Sequence, residues 1–197
     1  MADHALVTLL TAALVVMGSP GPSTLSATAV GASFGARRAL PYLVGLLLGT
    51  GMVLVAVIAG LAGLLLAIPG LAPVLTVASA LYLLYLAFRI ATAPPLSRQG
   101  AATAVPAPGT GFLLGVANPK AWLAISAVAG GTMLSASPLV DATLKVAVLG
   151  IMVVLIHVFW LMAGVAFTRL LYDPRASRIA NIAMALALVI TTVFAFV

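Results

Sequence analysis

The amino-acid sequence predicts an all-α membrane protein of six transmembrane helices, arranged as two inverted three-helix repeats with a broken first helix in each half. Hydrophobic residues make up 64% of the 197 and charged residues only 6%, and mean hydropathy is +1.30. A soluble globular domain does not reach these values. Runs of about 20 apolar residues, the length that crosses a bilayer, recur six times. Two of those runs carry internal proline motifs that a lipid-facing helix should not tolerate.

The spans run roughly 5–29, 42–66, 71–90, 110–134, 144–167 and 179–197. No Lys or Arg precedes the first, so it lacks the basic start of a cleaved signal peptide and is expected to be retained. The segment 91–108 is rich in Pro and Ala and lacks apolar periodicity. It reads as a cytoplasmic linker between a first half, 1–90, and a second, 109–197, within a single membrane domain. Three spans per half is an odd number, so related halves would enter the membrane in opposite senses, with their broken helices meeting near the midplane.

Charge sets the orientation. Arg37, Arg38, Arg89, Arg98, Arg169, Arg175 and Arg178 follow the odd-numbered spans, whereas the other connections hold only Lys145. The positive-inside rule then places both termini outside the cell. Net charge +6 is explained by this topology; a nucleic-acid partner would need a basic face on a soluble domain, and none is expected. The chain has no cysteine and no glutamate, and Asp3, Asp141 and Asp173 fall at span ends or in loops. No metal site and no cofactor is therefore predicted.

The candidate site lies at the two interruptions. In Ser19-Pro20-Gly21-Pro22-Ser23-Thr24 the prolines remove backbone donors and Gly21 relaxes the backbone, so carbonyls and amides are freed inside the membrane. They bind a polar solute together with the hydroxyls, or neighbouring helices satisfy them as at a kink. In Asn118-Pro119-Lys120 the lysine lies deep within a predicted span. An ammonium there costs several kcal/mol unless hydrated or paired, so Lys120 is expected to face a cavity rather than to snorkel. With no intramembrane acid in the chain, its partner must be a substrate carboxylate, backbone carbonyls or water. His157 is expected to be buried, neutral and hydrogen-bonded, a proton relay being the alternative. Gly45-x-x-x-Gly49 and Gly111-x-x-x-Gly115 allow close helix approach, either within the chain or in a homodimer.

These residues together resemble a family. Pro20-Gly21-Pro22 followed by a polar residue, Gly45-x-x-x-Gly49, the stretch from Tyr82 to Arg89, Gly111-Phe112 and Asn118-Pro119-Lys120-Ala121 are similar in kind and order to the lysine exporter (LysE-type) superfamily. The homoserine and threonine efflux branch looks nearest. The similarity covers about residues 5–130 and weakens beyond. It implies secondary export of amino acids or similar small polar metabolites through the bacterial inner membrane. The chain departs from the pattern at Thr50, where the resemblance leads one to expect Asp, and the segment from Trp122 to Met133 lacks the family's aromatic and Pro-rich character. The missing acid removes an expected place for cation or proton coupling.

The functional expectation is an exporter working by alternating access on a zwitterionic solute within the lipid bilayer. Lys120 with Asn118 would address the carboxylate, while Ser19 to Thr24 would take the ammonium or hydroxyl end. The competing classes are a non-transporting scaffold and an intramembrane hydrolase using a serine and His157. A scaffold has no need of two broken helices and a membrane-embedded lysine. A hydrolase needs a base oriented by a third group, and no carboxylate is available to orient His157.

Overall fold

A computed structural model describes residues 2–60 and 105–171, together with isolated positions within 77–92 and 175–190. The described residues form helices and no strands: α1 (Ala2–Ala12), a π-turn (Ala13–Met17), α2 (Pro22–Ile58), α3 (Pro108–Ala117), α4 (Pro119–Gly130) and α5 (Pro138–Leu171). The third and sixth predicted spans, most of the linker and the stretch from Tyr82 to Arg89 lie outside the continuously described residues.

α2 is not one span. Gly35 has φ 74° and ψ 164°, a backbone conformation essentially confined to glycine, and the helix turns back there. The Ser26 and Tyr42 hydroxyls, 16 residues apart in sequence, hydrogen-bond to each other. A straight helix would hold them about 24 Å apart. The first predicted span therefore continues past Ala29 to the turn at Gly35. The arm after the turn already contains Arg37 and Arg38, which the sequence had placed in a connection. Both are exposed, and Arg38 lies over the Phe34 ring at 5.8 Å across the turn.

The fourth predicted span is broken where expected, with α3 and α4 bent 56° apart. Asn118 precedes a proline, which disfavours the helical region, and it adopts φ −75° and ψ 103°. α5 begins six residues earlier than the predicted fifth span. Lys145, expected in the preceding connection, is inside this helix and pairs with Asp141 at 2.7 Å. Asp141 in turn accepts from the amides of Leu134 and Ser135. An apolar count stops at these two charges, but paired they neutralise one another within the first turns.

Small residues bring the helices together. A Cβ on Gly45 would collide with the Pro108 carbonyl, on Gly49 with the Phe112 carbonyl, and on Gly111 with the Tyr42 carbonyl. The two glycine motifs thus pack against each other, α2 on α3, and are used within the chain. Gly31 and Gly164 do the same where α5 crosses α2, against the Leu161 and Thr28 carbonyls. Buried clusters centre on Leu9, Leu54, Ile125 and Leu149, and on Ala27, Tyr42, Leu46 and Leu161. Val7, Leu14, Leu48, Leu113, Ile151 and Phe159 point outward. So extensive an apolar exterior suits hydrocarbon rather than water. Among the described residues α2, taken end to end, and α5 are long and apolar enough to cross a membrane, and the bent pair is a third if it is one span; the reversal at Gly35 divides α2 into two arms.

Candidate functional site: two helix breaks and the cavity between them

The first break opens after the π-turn, and its carbonyls are met one by one. Ser19 Oγ donates to the Val16 carbonyl at 2.9 Å, and Trp160 Nε1 of α5 donates to the Gly18 carbonyl at 3.0 Å. The Lys120 ammonium donates to the Ser19 carbonyl, to Ser19 Oγ at 2.8 Å and to the Pro20 carbonyl at 3.0 Å. The Leu25 amide returns to the Gly21 carbonyl at 2.8 Å as α2 begins. Pro22 occupies the first position of that helix, where a missing N–H costs nothing. Thr24 Oγ1 accepts from the Gly21 amide at 2.8 Å and so caps the restart.

The second break is built on the same plan. Pro119 starts α4, and Asn118 Oδ1 accepts from the Lys120 amide at 3.1 Å as its cap. Trp122 Nε1 donates to the Val116 carbonyl left at the end of α3, at 2.9 Å. Asn118 Nδ2 then crosses to the first break and donates to Ser23 Oγ at 2.7 Å. Two links, Asn118 to Ser23 and Lys120 to Ser19 and Pro20, therefore tie together interruptions nearly 100 residues apart in sequence. The ammonium sits at the C-terminal end of the first half-helix, where the exposed carbonyls favour a cation.

Gly21 has a different role from the one expected. Its φ of −169° is ordinary extended backbone, so conformational freedom is not what it supplies. A Cβ there would run into the Lys120 stem. Glycine leaves the gap through which the lysine reaches the first break.

Beside this network is a cavity of about 30 Å³ whose polar lining comes from Gly21, Ser23, Thr24, Thr50, Asn118, Lys120 and His157, opposite an apolar wall that includes Ile125, Val153 and Ile156. Ser19, Pro20, Pro22 and Pro119 do not line it; they shape the breaks behind it. The space is small, so a solute larger than a few water molecules enters only if the lining moves apart. Ser23, Thr24 and Asn118 spend their polar atoms on the breaks. Thr50 Oγ1 and His157 Nε2 are buried and have no hydrogen-bond partner. His157 Nδ1 lies 2.8 Å from the Val153 carbonyl. A carbonyl only accepts, so Nδ1 carries a proton and Nε2 presents its lone pair when the ring is neutral.

Both tryptophans that cap freed carbonyls escaped the sequence reading. The signal was present in each case: a membrane-embedded indole N–H needs an acceptor, and a broken helix supplies carbonyls that need donors.

A family model described as LysE type translocator matches residues 14–197. The match continues through the region where the sequence motifs weaken after residue 130. No curated protein and no solved structure matches the chain.

Proposed function

We propose that this chain, which belongs to the LysE type translocators, exports a small zwitterionic metabolite, an amino acid or a close relative, from the bacterial cytoplasm by alternating access. The observation that carries the reading is the Lys120 bridge. A membrane-embedded ammonium from one helix break is held by carbonyls of the other, directly beside a cavity. The N-terminal ends of α2 and α4 flank the same cavity, so Lys120 and two half-helix dipoles favour an anionic group there. A solute carboxylate that draws Lys120 away from Ser19 and Pro20 would release the breaks from each other. That exchange of partners is the physical step between a closed and an open site.

The wider arrangement we propose is six spans in two inverted halves, in the inner membrane, with both termini outside. A scaffold is a weaker reading, since it gives no use to the Lys120 bridge. A hydrolase is weaker still: His157 Nε2 has no serine hydroxyl on it, and Nδ1 is held by a backbone carbonyl rather than a carboxylate.

The test is metabolite release. Proteoliposomes loaded with a mixture of labelled amino acids should lose at least one zwitterion faster with the parent protein than with Lys120→Met. Equal retention of every amino acid by both would overturn the exporter reading.

A further inference from the structure

The Lys120 bridge leaves one part of the cavity without a role. Of the polar side chains that line it, Thr50 and His157 alone present atoms with no hydrogen-bond partner, although the two residues are only 3% and 5% exposed. Leaving a buried polar group unmatched costs about 1–3 kcal/mol. Thr50 is also on a helix, where its hydroxyl would ordinarily return to the carbonyl four residues back, and it makes no such bond. Both atoms are therefore held ready for a group that is not part of the protein.

The chemistry of that group follows from the two atoms and their surroundings. With Nδ1 committed to Val153, a neutral His157 offers only a lone pair, and Thr50 Oγ1, lining the same cavity, can also accept. The charged groups facing this space are few. Lys120 faces it from α4, and among the described residues no titratable group faces it from α2 or the π-turn. On α5 the charges nearest in sequence are Lys145, which is paired with Asp141, and Arg169, each about 18 Å along the helix from His157. The cavity lining thus holds both a cation and bare acceptors. A zwitterion fits this polarity, carboxylate toward Lys120 and ammonium toward the acceptors, without adding net charge.

We propose that His157 Nε2 and Thr50 Oγ1 form the subsite for the ammonium end of the solute, and that a proton on Nε2 excludes that ammonium. A lone pair accepts one hydrogen, from a proton or from the solute. Protonation also adds a second positive charge to a cavity that already contains Lys120 and, among the described residues, no acid, which repels an incoming ammonium further. Mutually exclusive occupancy is what an exchange of proton for solute requires. It assigns that competition to His157 rather than to Lys120, whose ammonium N–H groups are committed to three oxygens. The proposal rests on the exporter reading for the identity of the ligand class.

The test uses the full chain in lipid nanodiscs with His4→Gln, which removes the other histidine, and ¹⁵N-labelled His157. The probes are L-serine, ethanolamine, which lacks its carboxylate, and 3-hydroxypropionate, which lacks its ammonium. L-serine should move the Nε2 resonance to that of a hydrogen-bond acceptor and bind at least tenfold more tightly than either analogue. Its affinity should fall tenfold per pH unit once His157 is protonated. His157→Gln keeps an acceptor but cannot take a proton, so the pH slope should vanish. Thr50→Val should weaken serine about tenfold, and Thr50→Ser should restore it. An Nε2 resonance unmoved by all three probes, 3-hydroxypropionate binding as well as serine, or an unchanged slope in His157→Gln would each overturn the subsite. Release from proteoliposomes is a separate readout: export with an unmoved Nε2 sinks the subsite alone, and a moved Nε2 without export sinks the exporter reading.

Discussion

Lys120 of the second helix break donates to Ser19 of the first, reaching both its carbonyl and, at 2.8 Å, its hydroxyl. The half-buried cation is therefore a structural clasp as well as a candidate carboxylate anchor. Lys120→Met keeps the bulk but leaves the Ser19 and Pro20 carbonyls unmatched, with an expected loss of about 1–3 kcal/mol of stability in detergent unfolding. Export should fall at least tenfold. Lys120→Arg keeps the charge, but its flat, larger head must pass the gap at Gly21, so it should retain most of the stability and little of the transport. Parent-rate export by Lys120→Met would remove the anchor role.

The Asn118 to Ser23 hydrogen bond makes a second, independent link. Ser23→Ala leaves Asn118 Nδ2 buried and unpaired, and Asn118→Ala also removes the cap of α4. Each single change should cost about 1–3 kcal/mol. Because both remove the same bond, the double variant should cost less than the sum, with a coupling of about 0.5–3 kcal/mol. Simple additivity in chemical denaturation would show that the bond contributes nothing.

The glycine contacts predict a sharp positional contrast. Gly49→Ala forces a methyl into the Phe112 carbonyl, whereas the same change at Gly51 meets open space. Gly49→Ala should reduce the yield of monodisperse protein severalfold on size-exclusion chromatography. Gly51→Ala should match the parent or exceed it slightly, since alanine is the better helix former.

At Gly35 the cost is in the backbone alone. Nothing lies near its absent Cβ, but its positive φ disfavours any side chain. Gly35→Ala should destabilise by about 1–3 kcal/mol. A thermal melt matching the parent would mean that the reversal between the two arms of α2 does not depend on this conformation.

Orientation is open to direct labelling because the chain has no cysteine of its own. Single cysteines at Arg37 and at Ser137, both exposed, should react with an impermeant maleimide from opposite faces, Arg37 only from the cytoplasmic side. Labelling of both from outside would refute the proposed topology.

Much of this was legible along the chain. Proline at a helix start, an asparagine before a proline and glycines four apart act through local sterics, so both breaks and the close helix contacts could be anticipated from the residues themselves. Gly35 was less visible. A lone glycine between two apolar runs carries no signal of positive φ, and the helix continuing through Arg37 and Arg38 runs against a boundary drawn from charge.

Sequence alone determined that the chain is a membrane protein, that two of its helices are interrupted by proline motifs, and that Lys120 must find compensation without an intramembrane carboxylate of its own chain, because composition and backbone chemistry impose these wherever the helices lie. Only the tertiary structure decided what provides the compensation. Ser19 and Pro20 meet Lys120, Trp160 meets Gly18, and Asn118 meets Ser23 across separations of about 95 to 142 residues, and only the packing of α2 against α3 and α5 brings them together. The same packing gives Ser23, Thr24 and Asn118 their partners while leaving Thr50 and His157 without, since unmatched atoms are defined by what surrounds them and not by what they are.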